Sequence, residues 1–394
     1  MKLHFLISFL TATLMLSSIV FADPSVTIYI GTAQQRDDGG IYVASLNLET
    51  GEISNLRLAA AANRPSFLWI DQATKTLFSV GRTKKGDATV VSWKMDSSTG
   101  RLVEINRQPA DGVGPCYVTV GRFPRIPIQA DSSATDTAPN VTERFVAIAN
   151  YGSGSVNLFP VSPDGKIGAM TGMMQHAGTG PNARRQTGPH AHSVRFDPTG
   201  RRLLAADLGT DQVFVHDIDS DGRLSAGQPD SIRVMPGTGP RHFVFDTHSS
   251  QAHCLILGEL TGTIDVVRYS PPEIENVQRI STLSDEKAQN TSSEILIDAT
   301  GQFVYAANRG PNEIAVFQIQ RDSGSMRLRR IQNIACGGDW PRNFRLSPDN
   351  RWLLVANQKS GNIAVFRIDP DDGRLTPTQH SIAIDSPMCI KFLR

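Results

Sequence analysis

The stretch that decides the fold runs from Gly188 to Asp219 and reads GPHAHSVRFDPTGRRLLAADLGTDQVFVHDID. It contains three short apolar segments, and turns rich in Gly, Asp and Pro separate them. Apolar segments of this length with period-two alternation predict consecutive β-strands joined by tight turns. A turn containing Pro189 precedes the first strand, and a small polar corner at Asp207 ends the second.

The same unit recurs along the rest of the chain. Its first strand occurs seven times, as RPSFLWID (64–71), GPCYVTVG (114–121), GPHAHSVRFD (188–197), GPRHFVFD (239–246), SSEILIDATG (292–301), WPRNFRLSPD (340–349) and SPMCIKFL (386–393). The corners that end the second strands are Thr32, Gly81, Asn150, Asp207, Glu259, Asn308 and Asn357. Four strands in each repeat of about fifty residues are typical of a β-propeller.

We therefore predict an all-β fold, a seven-bladed β-propeller with four antiparallel strands in each blade. The C-terminal segment SPMCIKFLR supplies a first strand only, whereas the N-terminal segments TIYIGT and GIYVASLNL supply a second and a third. We expect these strands from both termini to share one blade and close the ring, which leaves no free edge. A single domain should span 23–394, with a surface insertion at 123–140.

The first 22 residues, MKLHFLISFLTATLMLSSIVFA, differ in composition from the rest of the chain. One lysine precedes an apolar run, and small residues follow it, which predicts a signal peptide over 1–22; an uncleaved anchor is the alternative. We expect an exported protein, periplasmic or secreted, that contacts no membrane after cleavage. Removing Lys2 takes the formal net charge from +1 to 0, which disfavours nucleic acid as a partner. We expect a monomer.

Four cysteines lie far apart in the sequence, at Cys116, Cys254, Cys336 and Cys389. Buried free thiols are the favoured interpretation, although an exported protein could pair them. No cysteine or histidine spacing indicates a metal site, so we expect neither metal nor cofactor. Calcium held by Asp207, Glu259 and Asn308 is the alternative.

Propeller geometry predicts where the polar residues of the repeat meet. The first strand of each blade lines the central channel, and the second runs antiparallel beside it, so the start of one and the end of the other share a mouth of the channel. The residues after the Pro turns are Ser66, Cys116, His190, Arg241, Arg342 and Met388, with Glu294 at the matching place in the copy that lacks Pro. The corners add Asn150, Asp207, Glu259, Asn308 with Arg309, and Asn357.

We expect these two sets to form one pocket, with His190 at its rim and His192 on the same strand face. Apolar residues take the matching position of His192 in other blades, so a histidine there is out of pattern. Blander interpretations stay open: His192 as a satisfied core histidine, Arg342 as a surface charge, and the three corner asparagines as turn residues. Four other histidines are expected at the surface, namely His176, His216, His248 and His380.

The strings around these residues, GPHAHSVRFDPTG, GPRHFVFD, GEL and AANRG, resemble the lactonase family of seven-bladed propellers, which includes 6-phosphogluconolactonases and carboxymuconate cyclases. The resemblance implies a catalytic set of His190, His192, Arg241, Glu259 and Arg309. It also implies a substrate-binding role for the corner at Asn150 and Tyr151, and we add Asp207, Asn308, Arg342 and Asn357 to that role. Two features depart from the family pattern, the signal peptide and the extra insertion, and export argues against a phosphorylated substrate.

The resemblance implies hydrolysis of a sugar-acid lactone, in which a base activates water and an arginine stabilises the carbonyl oxygen as it gains charge. Either Glu259 or a histidine is the candidate base, and a second arginine would bind an anionic group of the substrate. A carboxymuconate-type cyclase and a non-catalytic binding propeller are the alternatives. The segment 176–188 is a candidate lid. A solvated loop is the favoured interpretation of its Arg184 and Arg185, and a contribution to anion binding is the alternative.

Overall fold

A computed structural model describes residues 25–34, 39–83, 85–123, 143–249, 251–322 and 325–394 of the chain. The predicted signal peptide, and all of the predicted insertion except Phe123, lie outside the described residues. Both therefore stay predictions. The described part contains strands and no helix, so no described segment is a membrane-spanning helix.

The described residues form 28 β-strands. In chain order they are β1 Ser25–Thr32, β2 Gly40–Asn47, β3 Ile53–Ala61, β4 Asn63–Asp71, β5 Thr76–Arg82, β6 Ala88–Met95, β7 Leu102–Pro109, β8 Pro115–Phe123, β9 Glu143–Asn150, β10 Ser155–Val161, β11 Gly172–Gln175, β12 Ala191–Phe196, β13 Arg202–Asp207, β14 Gln212–Ile218, β15 Leu224–Arg233, β16 Pro240–Asp246, β17 His253–Gly258, β18 Thr263–Ser270, β19 Glu273–Ser281, β20 Thr291–Ile297, β21 Phe303–Arg309, β22 Glu313–Asp322, β23 Ser325–Ala335, β24 Pro341–Leu346, β25 Trp352–Asn357, β26 Asn362–Ile368, β27 Leu375–Ala383 and β28 Pro387–Phe392.

These strands make seven sheets of four antiparallel strands, as predicted. Six sheets use consecutive strands, and the seventh has the order β28-β1-β2-β3. The closing pair aligns Ile30 with Ile390 and Gly31 with Cys389, so strands from both termini share one blade. The inner strands pack in cyclic order, β4, β8, β12, β16, β20, β24 and β28. This order confirms the predicted seven-bladed propeller and the way its ring closes.

Apolar side chains fill the space between neighbouring blades, because both faces of each inner strand pair are covered. One such cluster joins Ile28 and Ile30 of β1 to Leu354 and Ala356 of β25, all fully buried. Tyr305 reaches from one blade to the next, where its hydroxyl donates to the Gly373 carbonyl at 2.8 Å. The four cysteines are unpaired, as predicted. Extensive interblade packing makes a rigid ring on which channel residues can be held.

A β-bulge or register shift lies at the start of every inner strand. A bulge leaves an extra residue unpaired and re-aims its side chain. The residues at this position are Ser66, Cys116, His192, Arg241, Ser293, Arg342 and Met388. The next position along each strand forms a second ring, Phe67, Tyr117, Ser193, His242, Glu294, Asn343 and Cys389. The bulges thus give one mouth of the channel its own layer of side chains.

The second ring fills the middle of the channel. The rings of Phe67 and Tyr117 stack with centroids 4.1 Å apart, and the edge of His242 meets Tyr117 at 5.1 Å. These three residues come from three different blades, so their contact lies on the channel axis. We call the bulge end of the channel the near mouth and the opposite end the far mouth.

Candidate functional site

The register of β12 corrects the predicted equivalence of His190. Ala191 pairs with Asp207 in the same way that Pro240 pairs with Gly258, and the following residue lies in the bulge. His192, not His190, is therefore the counterpart of Arg241. In the copy without Pro, the counterpart is Ser293, so the prediction that Glu294 lies at the mouth is wrong. A shift of one residue moves a strand side chain from one layer to another.

The corners need the same correction. Asp207, Asn357 and Asn150 pair with the first residue of the neighbouring inner strand, and in the β16–β17 pair Gly258 takes that place. Glu259 lies one residue further on, at the position that Tyr151 takes in its own blade. This later position, and not the corner itself, faces the near mouth.

A cavity of about 370 Å³ opens at the near mouth. Its polar and aromatic lining comprises Arg64, Ser66, Arg82, Cys116, Tyr151, Arg185, His192, Glu259, Thr291, Arg309, Trp340 and Arg342. A second cavity, of about 630 Å³, shares Arg82 and Gly114 with it and extends outward over the blade β4–β7. The lining of the second cavity contains no histidine or glutamate, so the chemistry concentrates in the first.

Glu259 is the hub of this cavity. Its Oε1 accepts a hydrogen bond from Arg185 Nη2 at 2.7 Å. Its Oε2 lies 3.0 Å from Arg241 Nε and 3.1 Å from Arg309 Nη2. Only 4% of the Glu259 side chain is exposed. One buried carboxylate therefore fixes three guanidinium groups that come from three different parts of the chain.

The same contacts decide the charge of Glu259. Burial on its own would raise the pKa of this carboxyl, but the positive charges of Arg309, Arg241 and Arg185 outweigh it and hold the pKa at about 2. A carboxylate of such low basicity is a poor proton acceptor near neutral pH. Glu259 is thus suited to positioning arginines rather than to activating water.

His192 lies beside this hub, with Nε2 3.9 Å from Glu259 Oε2. Burial, together with the positive charge of Arg241, keeps the pKa of His192 well below its usual value. The imidazole is therefore neutral at physiological pH, and a bound anion that offsets the charge of Arg241 would raise its basicity. Cys116 is close by, with its Sγ donating to the His192 carbonyl at 3.3 Å, but burial raises the pKa of that thiol to about 12. Cys116 is accordingly a poor nucleophile.

Arg342 differs from the arginines that Glu259 holds, because within the described residues its guanidinium forms no hydrogen bond or ion pair. Burial and the nearby charge of Arg241 lower its pKa to about 10, so Arg342 still carries its charge at neutral pH. Four guanidiniums and one carboxylate leave three positive charges unmatched in the cluster. A buried cation without a counter-ion is costly, and an anionic ligand would offset that cost.

Arg185 belongs to this cluster although the sequence favoured a solvated loop. Besides its bond to Glu259, its Nη2 donates to the Tyr151 hydroxyl at 3.2 Å. The segment 176–188 is anchored at its start, where His176 Nδ1 lies 2.7 Å from Asp207 Oδ2. This segment therefore extends from a buried anchor to the edge of the cavity.

His190 supports the site without lining the cavity. Its ring stacks on Tyr151 with centroids 4.5 Å apart, and its Nδ1 lies 2.9 Å from the Tyr151 carbonyl oxygen. Its backbone N–H donates to Asp207 Oδ1 at 2.8 Å. His190 and Asp207 thus hold the aromatic ring that borders the cavity.

The prediction that His176 and His216 lie at the surface is wrong. Their Nε2 atoms lie 3.3 Å apart, both side chains are buried, and Phe214 stacks on His176. Burial, and the neighbouring His176, lower the pKa of His216 to about 3. In contrast, His248 is exposed and His380 is partly exposed. Period-two alternation alone could not reveal the aromatic and carboxylate partners of the first pair.

The corner residues assigned to the substrate serve their own turns. Asn150, Asp207, Asn308 and Asn357 are fully buried and do not line the cavity. Asn308 Oδ1 accepts from two hydroxyls, those of Thr282 and Ser292, each at 2.8 Å. These four residues are therefore reassigned from the substrate to the turns, the alternative that asparagine chemistry favours.

Sequence reasoning missed a polar chain below the mouth. His242 Nδ1 lies 2.8 Å from Glu294 Oε1, and its Nε2 lies 3.2 Å from Arg241 Nη1. Because an arginine side chain only donates, His242 Nε2 accepts from Arg241, and the His242 Nδ1–H group donates to Glu294 Oε1. Burial lowers the pKa of His242 to about 3, against the opposing charge of Glu294. The string GPRHFVFD contains the feature that could have predicted this chain, because His242 interrupts an apolar strand face.

No group of three or more His, Cys, Asp or Glu side chains in the described ranges is close enough to hold a metal ion. The residues proposed for calcium do not converge, since Asp207 and Asn308 are turn residues and Glu259 is surrounded by arginines. The anion-attracting character of the near mouth opposes cation binding there.

Seven four-stranded blades around a plugged channel define a β-propeller, and a basic cavity lies at one mouth of its channel. Residues 27–392 match the family described as lactonase, 7-bladed beta-propeller. The chain belongs to this lactonase family, and the resemblance drawn from its sequence is confirmed.

Named relatives cover nearly the whole chain. The 6-phosphogluconolactonase of Bacillus subtilis (strain 168) is 31% identical over 368 residues, which are 93% of this chain and 97% of the relative. The 6-phosphogluconolactonase of Formosa agariphila is 29% identical over 371 residues, 93% of this chain and 99% of the relative. The solved structure of the periplasmic gluconolactonase of Pseudomonas aeruginosa is similar, with a TM-score of 0.81 at 26% identity over 94% of this chain and 99% of the other.

Proposed function

We propose that the near mouth binds an anionic sugar-acid lactone and hydrolyses it to the open hydroxy acid. The observation that carries this proposal is the excess of guanidinium over carboxylate around a neutral imidazole, in a cavity of about 370 Å³. A lactone that bears a phosphate or a free carboxylate group would offset this positive charge. The names of two relatives support a lactone of the 6-phosphogluconate type, whereas the proposed export and a periplasmic gluconolactonase relative favour a lactone without phosphate; the substrate panel below decides between them.

In the proposed mechanism His192 is the base. It takes a proton from water as the water oxygen attacks the lactone carbonyl carbon, and the carbonyl oxygen gains negative charge. The bond from the carbonyl carbon to the ring oxygen then breaks, and the imidazolium returns its proton to that oxygen. The product is a hydroxy acid, so one water is consumed for each ring opened.

The arginines divide the remaining work. Arg342, which has no partner within the described residues, would stabilise the carbonyl oxygen, because a preorganised donor is most effective on charge that develops during reaction. Arg309 is fixed by Glu259 and by the Thr291 carbonyl, to which its Nε donates at 2.7 Å. With Arg185, it would bind the anionic group of the lactone through its planar fork.

A panel of substrates tests this proposal. Purified protein that lacks 1–22 should open 6-phosphogluconolactone faster than glucono-δ-lactone, each measured against spontaneous hydrolysis. Arg309→Met should reduce the preference for the phosphorylated lactone, whereas Arg367→Met, the same charge change at an exposed position of β26, should not. Absence of hydrolysis of every lactone would reject the proposal. Ring closure of a carboxymuconate would instead identify a cyclase, which the same basic cavity would suit.

We further propose that the chain is exported after cleavage behind Ala22 and acts as a monomer. The periplasmic location of one solved relative supports export. Expression with a C-terminal tag, followed by cell fractionation and N-terminal sequencing, tests this directly. A mature chain that begins at Asp23 in the exported fraction is expected, and an intact N-terminus in the cytoplasm would contradict it.

A further inference from the structure

The far mouth of the channel also collects positive charge. Arg195, Arg345 and Lys391 lie three residues after His192, Arg342 and Met388 on their own strands, which places them about 10 Å further along the channel. They come from three blades that are not all neighbours. The three cations therefore approach one another only because the ring brings their strands around the same axis.

These cations have almost no counter-charge. Arg195 Nε is buried without a hydrogen-bond partner, and its guanidinium lies 5.8 Å from the Tyr117 ring centroid. Lys391 is 7% exposed, and its Nζ lies over the rings of Phe67 and Trp69 at 4.7 and 5.3 Å. Within the described residues, neither side chain forms an ion pair.

Arg345 and the Glu294 carboxylate do not supply a counter-ion for Arg195 and Lys391. Arg345 Nε donates only to the Ile390 carbonyl, at 3.3 Å. Glu294 lies in the second ring, where His242 Nδ1 and Asn343 Nδ2 already engage its two oxygens. Three cations thus face one carboxylate of the channel, and both of its oxygens already accept hydrogen bonds from other groups. Buried charges are normally paired.

A cavity of about 350 Å³ opens at this mouth. Arg195 and Thr119 line it together with the aromatic rings of Trp69 and Phe196. Asp298 also borders the cavity, but its Oδ1 accepts from the N–H groups of Gln302 and Phe303, at 2.8 Å each. A cationic end and an aromatic wall suit a small organic molecule that carries an oxyanion.

We propose that the far mouth is a second anion-binding site, specific for a phosphate or carboxylate group bound by Arg195 with Lys391 and Arg345 behind it. The site is separate from the reaction at the near mouth, because the packed second ring lies between the two. Burial, with the neighbouring Arg345, lowers the pKa of Lys391 to about 7, which is the response of a cation that lacks a counter-ion. A bound oxyanion would restore the charged form.

Calorimetric titration of the full mature protein with inorganic phosphate at low ionic strength tests this site. The wild type should bind two phosphates, one at each mouth. Arg195→Gln should weaken one site tenfold or more and leave the other intact, whereas Arg309→Met should weaken the other. Arg201→Gln is the matched control, since it removes the same charge from an exposed position six residues away. Arg345→Gln provides a second variant of the far mouth.

Titration with gluconate distinguishes the two chemistries. Loss of both phosphate and gluconate binding in Arg195→Gln would support a site for oxyanions in general, and loss of phosphate alone would narrow it to phosphate. Phosphate binding in Arg195→Gln and Arg345→Gln that equals binding in Arg201→Gln would overturn the proposal. A crystal structure with tungstate only at the near mouth would also overturn it.

Discussion

The near and far mouths of the channel are built from the same seven strands, and both collect cations, yet they differ in how the charge is organised. At the near mouth, Glu259 holds three guanidiniums at fixed positions and a neutral His192 lies beside them. At the far mouth, no carboxylate pairs with Arg195 or Lys391 among the described residues, and the histidine that lines the cavity, His248, is exposed and lies beside Asp246. From this difference we expect the far mouth to bind an anion without chemistry, and the near mouth to combine fixed cations with a candidate base.

The largest effect should follow from removing the base. His192→Gln keeps the volume and hydrogen-bonding capacity of the side chain but cannot take a proton, so kcat for lactone opening should fall by about 10²–10⁴-fold with KM little changed. Steady-state kinetics measure this. His190→Gln is the control, because His190 only supports Tyr151 and its loss should cost much less. A larger loss of kcat in His190→Gln than in His192→Gln would show that His190, and not His192, is the base.

Removing the hub should have the next largest effect. Glu259→Gln leaves three guanidiniums, two of them buried, without a counter-charge. We therefore expect kcat/KM to fall by about 10²–10³-fold and the free energy of unfolding to fall by about 3–5 kcal/mol. Urea unfolding and kinetics measure the two together. Glu294→Gln tests the carboxylate in the channel, which engages one histidine and one asparagine, and should cost less in both respects. Equal losses of kcat/KM and of unfolding free energy in the two variants would show that Glu259 has no special role in positioning the arginines.

Removal of one arginine at each mouth compares the two mouths directly. Arg342→Met removes a charge-assisted contact worth about 1.5–3 kcal/mol, so kcat/KM for a phosphorylated lactone should fall by about 10–100-fold. Arg345→Met makes the same charge change at the far mouth and should leave the rate within about twofold. If both variants lose activity equally, long-range electrostatics and not the near-mouth geometry controls the rate.

The smallest effect on rate should come from a corner residue. Asn308→Ala leaves the Thr282 and Ser292 hydroxyls without their shared acceptor, which should reduce the free energy of unfolding by about 1–3 kcal/mol. Because Asn308 does not line the cavity, kcat and KM of the folded enzyme should stay unchanged. A rise in KM without loss of stability would show that Asn308 contacts the substrate after all.

The sequence predicted the propeller well, because four strands per repeat are encoded locally and the missing strands at the two termini complement each other. It predicted which residue types gather at one mouth, but placed several of them one or two positions from their true places. Pro189 lies two residues before β12, whereas Pro240 is the first residue of β16. Alignment of the repeats on Pro therefore made His190 the equivalent of Arg241, instead of His192. Only hydrogen-bond register between strands resolves such an offset.

Other parts of the site depend on contacts that no local pattern contains. Arg185 lies 74 residues before Glu259, and His242 lies 52 residues before Glu294. The burial of His176 likewise depends on Asp207, 31 residues further on, and on His216, 40 residues further on. Side-chain partners so distant in sequence become visible only when the ring is assembled.

The central claim, that a neutral imidazole is held among guanidiniums at the near mouth, is tested most directly by the pH dependence of kcat/KM. Glucono-δ-lactone is the suitable substrate, because its own charge does not change between pH 5 and 7. Burial and Arg241 hold the pKa of His192 well below its ordinary value, so the imidazole stays deprotonated across this range and kcat/KM should be flat as pH falls through 6.5. A tenfold loss of kcat/KM per pH unit below 6.5, absent in His192→Gln, would show an ordinary solvated histidine and contradict the account.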